Sequence, residues 1–280
     1  MLLAEVLKRA TGYLETHGSS SPRLDAELLL AHALALRRLD VYLQHDRDLS
    51  EAELTSYREL IRRRGEGEPV AYLTGRKEFM GLEFEVTRAV LVPNPDTETL
   101  VQRAVTWARE RAQPLDFADV GTGSGCIAVA IAHYAPQVRV FAADIDAAAL
   151  EVAARNVARH HLEDRVALAQ GDLLQPLPGR LDAICANLPY VAQDAILPPE
   201  VTAQPPTALY AGDQGNELVE RLLRESPGRL NPAGVVLLEI DPPLLEKLGP
   251  VADELFRNHR VHRDLGGLER VLELWDSRAS

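Results

Sequence analysis

One short stretch constrains this chain more than any other: Asp119-Val120-Gly121-Thr122-Gly123-Ser124-Gly125, three alternate glycines between an apolar run and an alanine-rich one. Glycines so placed permit tight turns and let the backbone approach a ligand closely. A strand that turns through such a loop into a helix is the opening unit of many open α/β sheets. The alternation continues downstream. Residues 138–143 read as a strand, 147–160 as an alanine-rich helix, and 166–169, 183–186, 235–240 and 271–275 as further strands. The predicted fold is α/β, a mostly parallel sheet with helices on both faces. Ligands in such sheets bind beyond the carboxyl ends of the strands, at the topological switch point. The glycine loop, Asp144, Asp172 and Asn187 all fall at such ends.

Upstream the pattern is helical. Leu24, Leu28, Ala31 and Ala35 recur at helical spacing after Ser21, a candidate N-cap, and Pro22 at the first helical position. A second helix is predicted from Ser50, with acids in its first turn, to Gly65-Glu66-Gly67. Residues 78–92 change character, with two short strands expected around a Thr87-Arg88-Ala89 connector. Then Pro93-Asn94-Pro95-Asp96-Thr97-Glu98 leads into a helix that Asp96 or Thr97 is placed to cap. With 280 residues two domains are the natural expectation. The predicted division is a helical domain over 1–75, a β-hairpin connector over 76–95 and the α/β domain over 96–280.

The formal net charge of −12 leans away from bare nucleic acid, whose binding is largely electrostatic, and towards a protein or small-molecule partner. Arg62-Arg63-Arg64 is the candidate basic patch, read more simply as the solvated end of a helix. No apolar run is long enough to span a bilayer, and charges interrupt the apolar N-terminus, unlike a signal peptide. Cys126 and Cys185 fall in predicted core segments and are too few for a disulfide framework, so a reducing cytoplasm is expected. No metal-ligand spacing occurs, and His160-His161 ends a helix.

Asp144 follows Gly125 by 19 residues, where a carboxylate can accept from both hydroxyls of a ribose. The order Gly-x-Gly-x-Gly differs from the pyrophosphate-binding Gly-x-Gly-x-x-Gly, and no nucleoside-triphosphate loop is present. Asp119, Asp144 and Asp172 are expected to form an acidic rim suited to a positively charged sulfonium cofactor. Asp172, by its carboxylate or through the next backbone amide, is placed to read adenine.

Asn187-Leu188-Pro189-Tyr190 lies 62 residues beyond Gly125. An amide nitrogen is a poor nucleophile because its lone pair is delocalised into the carbonyl, so a catalyst must orient it and accept its hydrogens. Asn187 Oδ1 and the Leu188 carbonyl can each accept one N–H. Pro189 stiffens the turn, and Tyr190 offers a flat face to a planar group. Glycine loop and tetrapeptide together predict methyl transfer from S-adenosylmethionine to nitrogen.

The ordered set of motifs resembles the HemK-type protein-glutamine N5-methyltransferases, above all those that modify peptide chain release factors. The resemblance runs through Ser21 to Leu29, Pro69 to Gly75, Glu78 to Leu82, Pro93 to Glu98, the glycine loop, the tetrapeptide and Asp264-Leu265-Gly266-Gly267. It implies a class I, Rossmann-like methyltransferase domain behind an N-terminal helical bundle that helps dock the protein substrate. It implies that Gly121, Thr122, Gly123, Ser124, Gly125, Asp144, Leu173 and Asn187 line the S-adenosylmethionine site. It implies further that residues 187–190 clamp the glutamine of the Gly-Gly-Gln loop of class I release factors. Two positions depart from the family pattern: Leu188 stands where proline is usual, and Asn94 where arginine is usual. Asn-Leu-Pro-Tyr also resembles the motif of adenine-N6 methyltransferases acting on ribosomal RNA. A ribosomal-protein glutamine methyltransferase and a non-catalytic cofactor-binding module are the remaining alternatives.

Overall fold

In the computed structural model, which describes residues 1–278, the chain forms two units: Met1–Arg76 with Leu197–Ala203, and Lys77–Ile196 with Gln204–Ser280. The first unit begins with α1 (Leu3–Thr16), α2 (Pro22–Ala33), α3 (Arg38–Leu43), α4 (Glu51–Gly65) and α5 (Val70–Thr74). Leu14, Leu29 and Leu30 are fully buried at their centre, each contributing roughly 1.5–3 kcal/mol of burial. Ser50 caps α4 as predicted: its side chain accepts from Glu53 N while Glu53 reaches back to Ser50 N. Ser21 makes no side-chain cap bond, and Pro22 alone marks the start of α2.

The arginine triplet forms the last turn of α4, as the simpler reading expects, but it is ion-paired and Arg64 is not solvated. Arg62 pairs with Glu59 and Arg63 with Glu68, each at 2.7 Å. Arg64 is buried, with Nε 2.7 Å from Asp25 Oδ2. Arg62 and Arg63 are neutralised by near neighbours and Arg64 by an acid 39 residues away, which periodicity alone does not foretell.

The second unit opens with β1 (Arg76–Phe79) and β2 (Leu82–Glu85), joined by a turn at Met80 and Gly81, both at positive φ. The hairpin therefore closes earlier than expected, and 90–92 form no strand. Pro93 holds Val92 extended but contributes no N–H of its own for a ladder. Val92 N instead donates to Gln204 Oε1 at 2.9 Å. A 3-10 turn, Pro95–Thr97, precedes α6 (Glu98–Arg109). Asn94 caps that turn, its Oδ1 accepting from Asp96 N at 3.1 Å. Thr97 occupies the N-cap position of α6, as expected, but makes no side-chain cap bond, and Asp96 pairs with Arg270 at 2.9 Å.

Then follow β3 (Leu115–Val120), α7 (Cys126–Tyr134), β4 (Val138–Asp144), α8 (Ala147–Arg159), β5 (Val166–Gln170) and β6 (Leu181–Ala186). Next comes α9 (Pro199–Thr202), which belongs to the helical unit, where Glu200 Oε2 lies 2.7 Å from Arg64 Nη2. The chain ends with α10 (Glu217–Glu225), β7 (Leu230–Glu239), α11 (Pro242–Leu255), β8 (Phe256–Arg263) and β9 (Glu269–Ser277).

The seven strands pair in the order β5-β4-β3-β6-β7-β9-β8. The first five run parallel; β9 and β8 are antiparallel. Alternate residues of the central strands face opposite sides. Phe117, Cys185 and Leu237 enter one apolar core with α6 and α7; Ala118, Ile184 and Leu238 enter another with α10 and α11. This is the doubly covered α/β sheet that the alternation predicts. The unforeseen strand is β8, whose Arg257, Asn258, His259 and Arg260 are exposed on an edge and carry no apolar period.

Candidate active site

The chain reverses between β4 and β6 around β3, so the carboxyl ends of β3, β4, β5 and β6 open on the switch point. A cavity of about 280 Å³ lies there within the second unit. Of the predicted residues, Gly121, Thr122, Gly123, Ser124, Asp144, Asp172, Leu173, Asn187, Leu188 and Pro189 line it. Gly125 and Tyr190 do not. Gly125 is the N-cap of α7 at φ 80°, where a Cβ would meet Ala153 Cβ at 3.3 Å. Tyr190 is half-buried against the core under α10, and burial, with Glu239 and Asp241 nearby, pushes its phenol up to about 12. It stays neutral.

Asp144 fastens the loop. Its Oδ2 accepts from Gly123 N at 2.8 Å and its Oδ1 from Asp146 N at 3.0 Å. Burial raises its pKa, and these amides oppose the rise by favouring the carboxylate. Asp119 does not join the rim. It is fully buried beneath the loop, with Oδ2 accepting from Thr122 Oγ1 at 2.6 Å and Ala128 N at 3.1 Å. Its Oδ1 has no partner among the described residues, and burial pushes the carboxyl up to about 7. Its strand position places it under the turn, so it braces the loop from behind. Asp146 lines the cavity beside Asp144 in its stead.

Asp172 follows β5, and its carboxylate is 2.6 Å from Arg221 Nη2 of α10, itself a cavity residue. The next residue, Leu173, is held at φ 49°, a conformation uncommon for a leucine.

Asn187 continues β6 into the cavity wall. Its Nδ2 donates to Thr97 Oγ1 at 3.1 Å, and Thr97 is only 2% exposed. The tetrapeptide and the loop are in close contact: a Cβ on Gly121 would come within 2.8 Å of Leu188 Cδ2. Gly215, at φ 81°, packs where a Cβ would lie 2.4 Å from the Tyr190 carbonyl oxygen. Asn156 of α8, fully buried, donates to the carbonyls of Ser124 and Glu85 at 2.8 and 2.9 Å and accepts from Glu85 N at 2.7 Å. Sequence reasoning passes over Thr97, Asn156, Gly215 and Arg221, whose partners lie far along the chain. Only the proline-flanked run containing Thr97 marks any of them.

Both cysteines are buried, and burial pushes the Cys126 thiol up to about 12. No group of metal-binding side chains occurs among the described residues. No helix there is long and apolar enough to cross a membrane.

Residues 5–75 match the PrmC N-terminal domain family, and residues 99–265 the Methyltransferase small domain family. The release factor glutamine methyltransferase of Rhodopirellula baltica is 41% identical over 280 residues, covering 96% of this chain and 94% of its own. That of Moorella thermoacetica is 40% identical over 278 residues, with 96% and 97% covered. The chain belongs to the release factor glutamine methyltransferase family. The methyltransferase fold is also that of the 16S rRNA N2 G1207 methyltransferase of T. thermophilus. That structure shares 18% identity at a TM-score of 0.53 and covers 72% of this chain and 49% of its own. This methyltransferase is an enzyme whose methyl donor is S-adenosylmethionine. The cavity fits a nucleoside sulfonium: Cβ-less Gly121 and Gly123 open the loop, and Asp144 carries a carboxylate to the wall.

Proposed function

We propose that this enzyme methylates the side-chain amide nitrogen of the glutamine in the Gly-Gly-Gln loop of class I release factors. The supporting observation is that Asn187, Leu188 and Pro189 share one cavity with the glycine loop and Asp144. The full-length likeness to release factor glutamine methyltransferases names the acceptor. S-adenosylmethionine, when bound, supplies a methyl group on a positively charged sulfur. Gly121 to Ser124 and Asp144 would hold it, Asp144 by accepting from the ribose hydroxyls and Asp172 or Leu173 N by reading the adenine. Gly125 sets the turn that shapes this cradle.

The chain's own groups then orient the acceptor. Asn187 Nδ2 is committed to Thr97, so Oδ1 is the atom with which this amide meets an incoming N–H. The Leu188 carbonyl takes the second N–H. Pro189 limits the turn's freedom, and Tyr190, neutral and packed against the core, backs it. Fixing a weak nucleophile in line in this way supplies on the order of 7 kcal/mol or more in favourable cases. The amide's proton leaves to water after transfer, and no strong base is needed. The helical unit docks the release factor, and the net charge of −12 favours a protein over a nucleic acid. An acceptor of this kind puts the enzyme in the cytoplasm.

The test offers labelled S-adenosylmethionine with unmodified release factor, a glutamine-to-alanine release factor, ribosomal protein and ribosomal RNA. Label on the unmodified factor alone, lost with Asn187→Ala, is the expected result. Label on RNA or ribosomal protein, with none on the factor, overturns the reading.

A further inference from the structure

Glu239 ends β7 as Asn187 follows β6. The two strands are parallel with Ala186 opposite Leu238, so the register sets Asn187 beside Glu239. Glu239 is 4% exposed, and its Oε2 is buried without a hydrogen-bond partner among the described residues. An unpartnered buried carboxyl oxygen costs stability. Nothing in the packing of β7 requires one, because Val235 to Leu238 fill both cores with apolar side chains.

The donor count explains its presence. Asn187 Nδ2 can only donate, so Thr97 Oγ1 accepts at their 3.1 Å contact. The Thr97 hydrogen must then find another acceptor, and the buried Glu239 carboxyl, which the strand register sets beside Asn187, is the group placed to take it. The remaining groups facing Glu239 are Asp96 from the 3-10 turn, Arg270 from β9, Tyr190 beyond β6 and Cys126 from α7. None of these gives the Thr97 hydroxyl an alternative in this structure.

We infer that Glu239 and Thr97 are positioning residues: together they form a buried chain of hydrogen bonds that holds Asn187 with Oδ1 presented to the acceptor amide. The chain fixes polarity as well as place. An acceptor at Glu239 makes Thr97 an acceptor towards Asn187, which turns the donor end of the Asn187 amide inward. Were Thr97 to donate towards Asn187 instead, the amide would flip and present N–H to N–H. This inference rests on the proposed role of Asn187 as clamp.

Four variants test it. Thr97→Val and Glu239→Met remove the chain at nearly constant volume, whereas Thr97→Ser and Glu239→Gln keep a hydroxyl and an acceptor. Thr97→Val and Glu239→Met are expected to lower kcat on release factor about 10²-fold, the scale of a small misplacement. Their affinity for S-adenosylmethionine should stay within about twofold of wild type. The conservative variants should recover at least about tenfold of that loss. A merely structural role would lower S-adenosylmethionine affinity together with kcat, and the conservative variants would not rescue it.

Unchanged kcat in Thr97→Val, or cofactor affinity falling in parallel with kcat, overturns the inference. Failure of the wild type itself to label release factor counts against the proposed function instead. In that case the Asn187 side-chain amide signals in 15N spectra still decide the matter. They should shift, and exchange faster with solvent, in both Thr97→Val and Glu239→Met; signals at wild-type positions overturn the inference.

Discussion

Asn156 and Ser124 are 32 residues apart in sequence, yet the Asn156 Nδ2 lies 2.8 Å from the Ser124 carbonyl oxygen. The same side chain holds Glu85 of β2 by two further hydrogen bonds. A single buried amide thus ties the glycine loop, the hairpin and α8 together. The loop is shaped from behind by a residue that does not line the cavity.

Asn156→Ala should therefore lower stability and cofactor affinity together. It deletes three hydrogen bonds and leaves buried backbone groups unpaired, a loss of about 2–4 kcal/mol. Urea unfolding measures the first effect and calorimetric titration with S-adenosylmethionine the second. Wild-type affinity in a destabilised variant would show that the loop keeps its shape without this bond.

Gly215→Ala should separate chemistry from cofactor binding. A methyl group there meets the backbone oxygen of Tyr190, which cannot swing aside, and φ 81° adds strain of about 1–2 kcal/mol. The strain falls first on the backbone at Tyr190 and Ala192, which a Cβ at Gly215 meets, rather than on the glycine loop. We expect kcat to fall about 10–10²-fold with the S-adenosylmethionine dissociation constant little changed. Parallel steady-state and binding measurements decide it.

Arg64→Ala should destabilise the helical unit by about 3–5 kcal/mol, the scale for stranding the partner of a buried ion pair. Most of that comes from Asp25, whose residue is 7% exposed; Glu200 is in contact with water and adds less. Chemical denaturation followed by far-ultraviolet circular dichroism reads the loss. A change below about 1 kcal/mol, the range of surface pairs, would contradict it.

The buried Asp119 carboxyl, raised from 3.8 to about 7, makes stability depend on pH with a definite sign. Between these values the folded enzyme keeps a proton that the unfolded chain has lost. This contribution to stability is therefore present at low pH and lost as pH rises to about 7. Melting temperatures of wild type and Asp119→Asn, followed from pH 5 to pH 8, should show the wild type declining relative to the variant. A constant difference would mean that Asp119 is ionised throughout.

How much of this was legible depends on where each partner lies. The glycine loop, Asp144 and Asn187 announce themselves because each ends a recognisable apolar strand, and parallel pairing brings strand ends together. Asp119 misleads for the same reason: position on a strand tells that it is near the loop but not which side of the turn it faces. Thr97 reads locally as a helix cap and does hold that position, but its side chain serves Asn187, 90 residues away, which local reading cannot find. The hairpin's turn is misplaced because Val90-Leu91-Val92 has strand composition but lines the cavity instead of pairing. β8 is invisible to periodicity since an exposed edge strand needs no apolar face.

The seven residues Leu197–Ala203, which follow the clamp in sequence and belong to the helical unit, bear on how this protein was assembled over time. Recombination at one junction near residue 76 would deliver the first five helices without Glu200, the acid that meets Arg64. The donor of new helices would have to supply a second, distant insert. The helical unit is thus a two-piece structure in sequence, and a chain cut near residue 76 would carry Arg64 without the acid it meets.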